Sequence, residues 1–199
     1  MRLNWTVAIA LTVVWCTGSA SAGQISTNVT VLVVTDLGEI TVAIDTEHAP
    51  HTAANFLRYV DGGAYDGGQF HRSVTMQNQP NNDIRIEVIQ ASVNRLRSED
   101  NFNPIQLERT TVTGLRHLDG TISMARGGPD TATSSFFFCI GDQPSLDFGG
   151  NRNADGQGFA AFGQVVSGAE VIRKIQLQPT EGQRLEPLIR IVSVSRLYN

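Results

Sequence analysis

The chain has 199 residues, 15 Lys or Arg against 19 Asp or Glu, and a formal net charge of −4 at pH 7. At 41% hydrophobic and 17% charged it is too apolar for a disordered chain, and its length suits one sizeable core rather than two domains. Every cation but Lys174 is Arg and there is no basic run, which argues against a nucleic-acid partner held by charge.

Arg2, an apolar stretch from Val7 to Cys16 and the triplet Ala20-Ser21-Ala22 follow the pattern of a secretory leader, with an apolar run too short to span a bilayer. The expectation is a signal peptide over 1–22 and a single domain over 23–199, exported to a periplasm or secreted, with no stable membrane insertion. That domain keeps one cysteine, Cys139, so it has no internal disulfide; next to Phe136-Phe137-Phe138 the thiol is expected to be buried and inert. Residues 29–35 form a continuous β-branched run that predicts a buried strand. A turn at Asp36-Leu37-Gly38 leads into Ile40, Val42 and Ile44, which alternate as in a half-buried strand. Pro50 opens a helix that carries Ala53, Phe56, Leu57 and Val60, and Gly62-Gly63 stops it. Short strands are predicted over 69–73, 84–91, 121–125, 135–140 and 160–166. A second helix follows around Val171, Ile172 and Ile175, and a last strand over 188–196. Many short strands, 19 Gly, 7 Pro and no βαβ rhythm indicate an antiparallel barrel or sandwich. Two polar stretches, 75–83 and 149–158, read as long loops, which in compact domains often carry function.

Several chemistries find no support. His48 and His51 flank Pro50 as capping or surface residues, and with no HExxH or Cys/His quartet no metal site is expected. The glycines of 149–158 lack the Lys-Ser/Thr of a phosphate loop. Residues 151–156 imitate a calcium loop, but it starts with Asn151 and has Phe162 where the closing Glu belongs. No Ser/His/Asp arrangement stands out.

The informative signal is Phe70-His71-Arg72, followed by Ser123-Met124-Ala125-Arg126-Gly127-Gly128-Pro129 and Ser134-Ser135-Phe136-Phe137-Phe138. In this order, with Phe159-Ala160-Ala161-Phe162-Gly163-Gln164-Val165-Val166, these blocks resemble the cyclophilin-type peptidyl-prolyl cis–trans isomerases from about Val29 to about Leu197. The resemblance implies a mainly β protein: a closed eight-stranded antiparallel barrel capped by two α-helices, with a site on its outer face. It implies action on proline-containing polypeptides, with no cofactor, and nothing in the sequence marks a fixed oligomer, so a monomer is expected.

Carried over by position, Arg72 matches the family's catalytic Arg, Phe137 its pocket Phe, and Gln90 the Gln that orients the Arg and binds substrate backbone. Val88 fits a wall position. Ala125, Arg126 and Gly127 align with the strand edge along which a peptide lies, and Leu146 and Phe159 with the rim. His71 precedes the Arg and is expected to be structural, because the reaction moves no proton. Alternation along a strand sends Phe136 and Phe138 to the core and Phe137 to the pocket. Departures from the family pattern include the insertion over 75–83, Glu87 in place of a pocket Phe and Ser135 in place of a Gln. Ser145 replaces the aromatic residue that binds cyclosporin, so weak cyclosporin binding is expected. A carboxylate at Glu87 paired with Arg72 would blunt the cation. Glu87, Ser135 and the insertion together keep a second reading open, a peptide-binding module with little turnover.

Overall fold

A computed structural model of the chain describes residues 1, 29–96 and 102–198. The leader expected over 1–22 lies, apart from Met1, outside the described residues. Among the described residues no helix is long and apolar enough to cross a membrane.

The strands in chain order are β1 (Val29–Thr35), β2 (Gly38–Ile44), β3 (Gln69–Val74), β4 (Val88–Ser92), β5 (Thr121–Met124), β6 (Phe136–Cys139), β7 (Ala160–Ser167), β8 (Thr180–Glu181) and β9 (Arg184–Leu197). Neighbours run β1-β2-β7-β5-β6-β4-β3-β9, and β9 pairs back onto β1, so eight antiparallel strands close a barrel. The two-residue β8 pairs only with the start of β9, outside the closed ring. Closure removes the exposed edges that an open sheet of this size would carry.

The expected run of strands is present, with three differences. The run of β1, read as a wholly buried strand, is buried only at alternate residues, Val31, Val33 and Thr35, because a barrel strand has one inward face. The strand predicted over 84–91 begins only at Val88. The insertion before it is tied by side chains instead of a ladder: fully enclosed Gln79 donates to the carbonyls of Thr75 and Ile86 and accepts from the Ile86 N–H. Besides α1 (Pro50–Asp61) and α3 (Ala169–Gln176), a third helix, α2 (Thr110–Thr113), is present; one turn of Thr and Val carries no helical periodicity to read.

The core fills the barrel. Val31, Ile40, Phe70, Ile89, Ile122, Phe136, Phe138 and Phe162 meet there. The apolar faces of α1 (Phe56, Leu57, Val60) and α3 (Val171, Ile172, Ile175) join the same cluster, which is how they cap it. A second, smaller apolar cluster is separate from it: Val74, Ile86, Val88, Phe137, Cys139 and Leu146, with Ala125 and Phe159 against them. Ile89 and Ala91 face the core, so alternation along β4 puts Val88 and Gln90 on the outside. The second cluster is therefore an apolar patch on the outer face of the barrel. Cys139 is buried within it, and burial pushes its thiol far above its ordinary pKa.

Candidate active site

A row across adjacent strands builds the site. Antiparallel register sets Arg72 on β3 opposite Gln90 on β4, Gln90 opposite Phe137 on β6, and Phe137 opposite Ser123 on β5. A parallel row, Val74, Val88 and Cys139, runs alongside on the same face. Side chains directly opposite on neighbouring strands touch, so residues far apart in sequence become a contiguous surface.

Arg72 reaches this face only because β3 is irregular. Phe70 points into the core, and in a regular strand a residue two positions on would point there too. The pairing slips between Phe70 and Arg72, leaving His71 without its own place in the register. This bulge turns Arg72 outward. His71 absorbs the irregularity half-buried, its Nδ1 has no hydrogen-bond partner, and burial lowers its pKa.

The guanidinium is held on two sides. Gln183 Oε1 accepts from Arg72 Nε at 2.9 Å and Nη2 at 2.7 Å, and Gln90 Oε1 accepts from Nη1 at 3.0 Å. Three of its five N–H donors are thus engaged and two remain. Gln183 is in turn fixed by donating to the Asn78 carbonyl of the insertion, while Asn78 donates to the carbonyls of Ser73 and Gly182. The insertion therefore buttresses the Arg. Burial, followed by the charge of Arg152, lowers the Arg72 pKa from its ordinary value.

Beside the guanidinium lies a cavity of about 240 Å³ walled by Val88, Ala125, Phe137, Leu146 and Phe159, with Arg72 and Gln90 on its polar side. A dry cavity of about 150 Å³ already admits benzene, so a pyrrolidine ring has room here. Phe137 is 4% exposed; its ring stands edge-on to Phe159 at 5.4 Å and stacks on His117 at 6.0 Å. Gly158, at φ +67°, closes its loop against the Asp147 and Leu146 backbone so tightly that a Cβ would sit 2.6 Å from the Asp147 carbonyl carbon. The following Phe159 N–H bonds the Leu146 carbonyl at 2.9 Å, which sets these two walls side by side.

Of the site residues read from the sequence, Arg72, Gln90, Phe137, Val88, Ala125, Arg126, Leu146 and Phe159 all line this one cavity. His71, Gly127 and Ser135 do not. The Gly127 N–H is already given to Thr131 Oγ1, and the Ser135 carbonyl accepts from the Ala125 N–H. Arg126 lines the cavity with a 1%-exposed side chain whose charge is matched. It forks onto both Asp155 oxygens, lies 4.9 Å over the Phe159 ring and donates to the Gly158 carbonyl. The Arg126 fork holds the Asp155 carboxyl at about 2. Glu87 is turned away: its carboxylate accepts from Gln176 of α3 rather than from Arg72.

Sequence reasoning missed five contributors. Gln183 gives no local signal, because its approach depends on the β8–β9 turn lying against β3. Ile86, Arg152 and Asn153 complete the rim, with Arg152 donating to the Ile84 carbonyl at 2.6 Å. The fifth is a Ser/His/Asp line that the sequence did not show. His117 Nδ1 lies 2.7 Å from Asp147 Oδ1 and its Nε2 lies 2.9 Å from Ser123 Oγ. Ser123 is wholly buried and outside the cavity lining, so this line supports Phe137 from beneath and offers no nucleophile. Burial raises the Asp147 pKa, but the His117 hydrogen bonds outweigh it and the net shift is downward.

Closed barrel, apolar outer hollow and fixed Arg together define a class, and comparison with known proteins agrees. Residues 30–196 match the family model "Cyclophilin type peptidyl-prolyl cis-trans isomerase/CLD". The chain is 36% identical over 176 residues to peptidyl-prolyl cis-trans isomerase A of Dickeya dadantii, covering 88% of this chain and 85% of that one. It is 32% identical over 154 residues to a peptidyl-prolyl cis-trans isomerase of Acinetobacter baylyi, covering 77% and 74%. A cyclophilin-type isomerase of Cryptosporidium parvum superposes with a TM-score of 0.69 at 19% identity, over 86% of this chain and 99% of that one. The same parasite protein studied in the presence of the dipeptide Ala-Pro gives 0.68, over 85% and 99%. The chain belongs to the cyclophilin-type peptidyl-prolyl cis–trans isomerase family, and it is an isomerase of that family.

Proposed function

We propose that the cavity beside Arg72 is the isomerase site and that the substrates are X–Pro bonds of exported, flexible polypeptides. The planar amide must lose its resonance to twist, a barrier of roughly 18–20 kcal/mol that makes uncatalysed exchange take tens to hundreds of seconds. Bringing this to milliseconds needs about 6 kcal/mol of transition-state stabilisation. Mid-rotation the prolyl nitrogen becomes pyramidal and basic. A fixed cationic donor bonds to it there and not in the planar ground state. Arg72 supplies that donor with two spare N–H groups, Gln90 and Gln183 hold its plane, and Phe137 with Val88, Leu146 and Phe159 receives the ring. No proton moves, which agrees with His71 lying outside the cavity lining.

The observation that carries this reading is the Arg72–Gln90–Phe137 row facing an open hollow. The placement of Glu87 on Gln176, away from Arg72, supports turnover over mere peptide binding. Binding of proline-containing peptides is supported by the parasite relative studied with Ala-Pro. Export is supported by Arg2, the apolar run and Ala20-Ser21-Ala22; N-terminal sequencing of the protein recovered outside the cytoplasm should begin at Gly23. Exchange NMR on an Ala-Pro tetrapeptide tests the activity. Catalytic amounts of protein should bring cis and trans signals into exchange, and unchanged spectra would contradict the assignment.

A further inference from the structure

The chain as a whole is acidic, yet three arginines and no carboxylate line the cavity. Arg126 is neutralised by its fork onto Asp155. Among the described residues neither Arg72 nor Arg152 forms an ion pair: Arg72 is held by two neutral Gln side chains, and Arg152 by the Ile84 carbonyl. Gln183 and Gln90 orient Arg72 without cancelling its charge. Arg152, half-buried at the rim, spends one contact on a backbone oxygen and keeps the rest of its donors. Two like charges thus face one small hollow in a protein of opposite net charge. Arg152 also lowers the pKa of Arg72, so the two share a field.

We infer that Arg152 is a specificity-determining residue, which with Arg72 makes the site select X–Pro bonds flanked by an acidic residue. This rests on the isomerase reading of the cavity. A clefted field of one sign concentrates ligands of the other and speeds their arrival. A substrate carboxylate at the rim would meet a guanidinium able to accept it as a fork, and its charge would relieve the repulsion between the two arginines. The rival role for Arg152, a staple joining the 149–158 loop to the insertion through Ile84, predicts no discrimination by charge.

The test uses the full domain and tetrapeptides with Glu, Gln or Lys placed first before and then after proline. Exchange NMR gives kcat/KM, and a titration gives Kd. At low salt Glu is expected to exceed Gln by about two- to fivefold in both readouts at one of the positions, the range of partly exposed ion pairs. Lys should fall below Gln, and the spread should shrink as salt screens the field. In Arg152→Gln the Glu:Gln ratio should fall clearly toward one, with only the residue of the Arg72 field left, while Arg152→Lys should keep most of the preference, whatever either does to loop packing. Equal values for all three peptides at both positions in the wild type, or a Glu preference undiminished in Arg152→Gln, overturn the inference. Acceleration of every peptide alike sinks this inference and leaves the isomerase reading standing. Ordered Kd values with no acceleration do the reverse.

Discussion

Gln183→Leu separates holding the Arg72 cation in place from merely possessing it. The substitution keeps the size of the side chain but removes the oxygen that accepts from Nε and Nη2 of Arg72 at 2.9 and 2.7 Å. Hydrogen bonds to a charged group are worth about 1.5–3 kcal/mol each. Arg72 is only half-buried, so water replaces part of what is lost, and a net cost near 1.5–2 kcal/mol is a reasonable working figure. If that cost falls on the transition state, turnover drops about ten- to thirtyfold. Gln183 does not line the cavity, so peptide binding has no reason to weaken with it. The expected result in exchange NMR is therefore a fall in kcat with KM within about twofold of wild type. Gln183→Glu should hold the guanidinium in place, yet pair with its charge and also slow turnover. Wild-type kcat in Gln183→Leu, or a loss confined to KM, would refute the view that this amide positions the Arg.

Phe137→Ala removes a nearly enclosed ring that both floors the hollow and stacks on His117. Denaturant titration should show a loss of about 3–4 kcal/mol, and KM for a prolyl peptide should rise. A stability loss with unchanged KM would place the ring elsewhere. For pH, burial depresses His71 from 6.5, so the folded chain resists a proton that the unfolded chain accepts. The stability His71 contributes is full above 6.5 and is lost as pH falls through its lower folded value. The difference in unfolding midpoint between wild type and His71→Asn should shrink as pH falls from 6.5 toward the lower folded value. A flat difference would show that the ring is solvated. Asp155 acts far lower: its pairing with Arg126 should persist until pH falls from 3.8 toward about 2, followed by NMR of the loop amides, and release near neutrality would contradict the fork.

How much of this was readable in one dimension differs by element. β2 was plain because its apolar residues alternate, and α1 because Pro50, Phe56, Leu57, Val60 and Gly62 mark both its ends and its face. The opposite destinations of Phe136 and Phe137 followed from strand alternation alone. The bulge that turns Arg72 outward did not: Phe70-His71-Arg72 read as a regular strand would send Arg72 into the core. Nor did the grip of Gln183, 111 positions away, or the Asp147–His117–Ser123 line, because each depends on a register closed elsewhere in the barrel. The prediction of strand over 84–87 failed because an enclosed amide, Gln79, took the place of a neighbouring strand for Ile86. Burial and alternation are local properties; which polar group answers a given donor is a property of the closed fold.

If one oriented guanidinium favours the twisted amide, its loss must appear in turnover and not in binding. The direct measurement is kcat/KM for an Ala-Pro peptide in wild type, Arg72→Lys and Arg72→Ala, alongside Kd for the same peptide. Removing a donor of this kind should cost about a hundred- to a thousandfold in turnover. Lys should rescue little, since a point charge cannot span Gln90 and Gln183 together, while the hollow keeps binding the proline. Arg72→Ala with wild-type turnover and intact binding would contradict the claim outright.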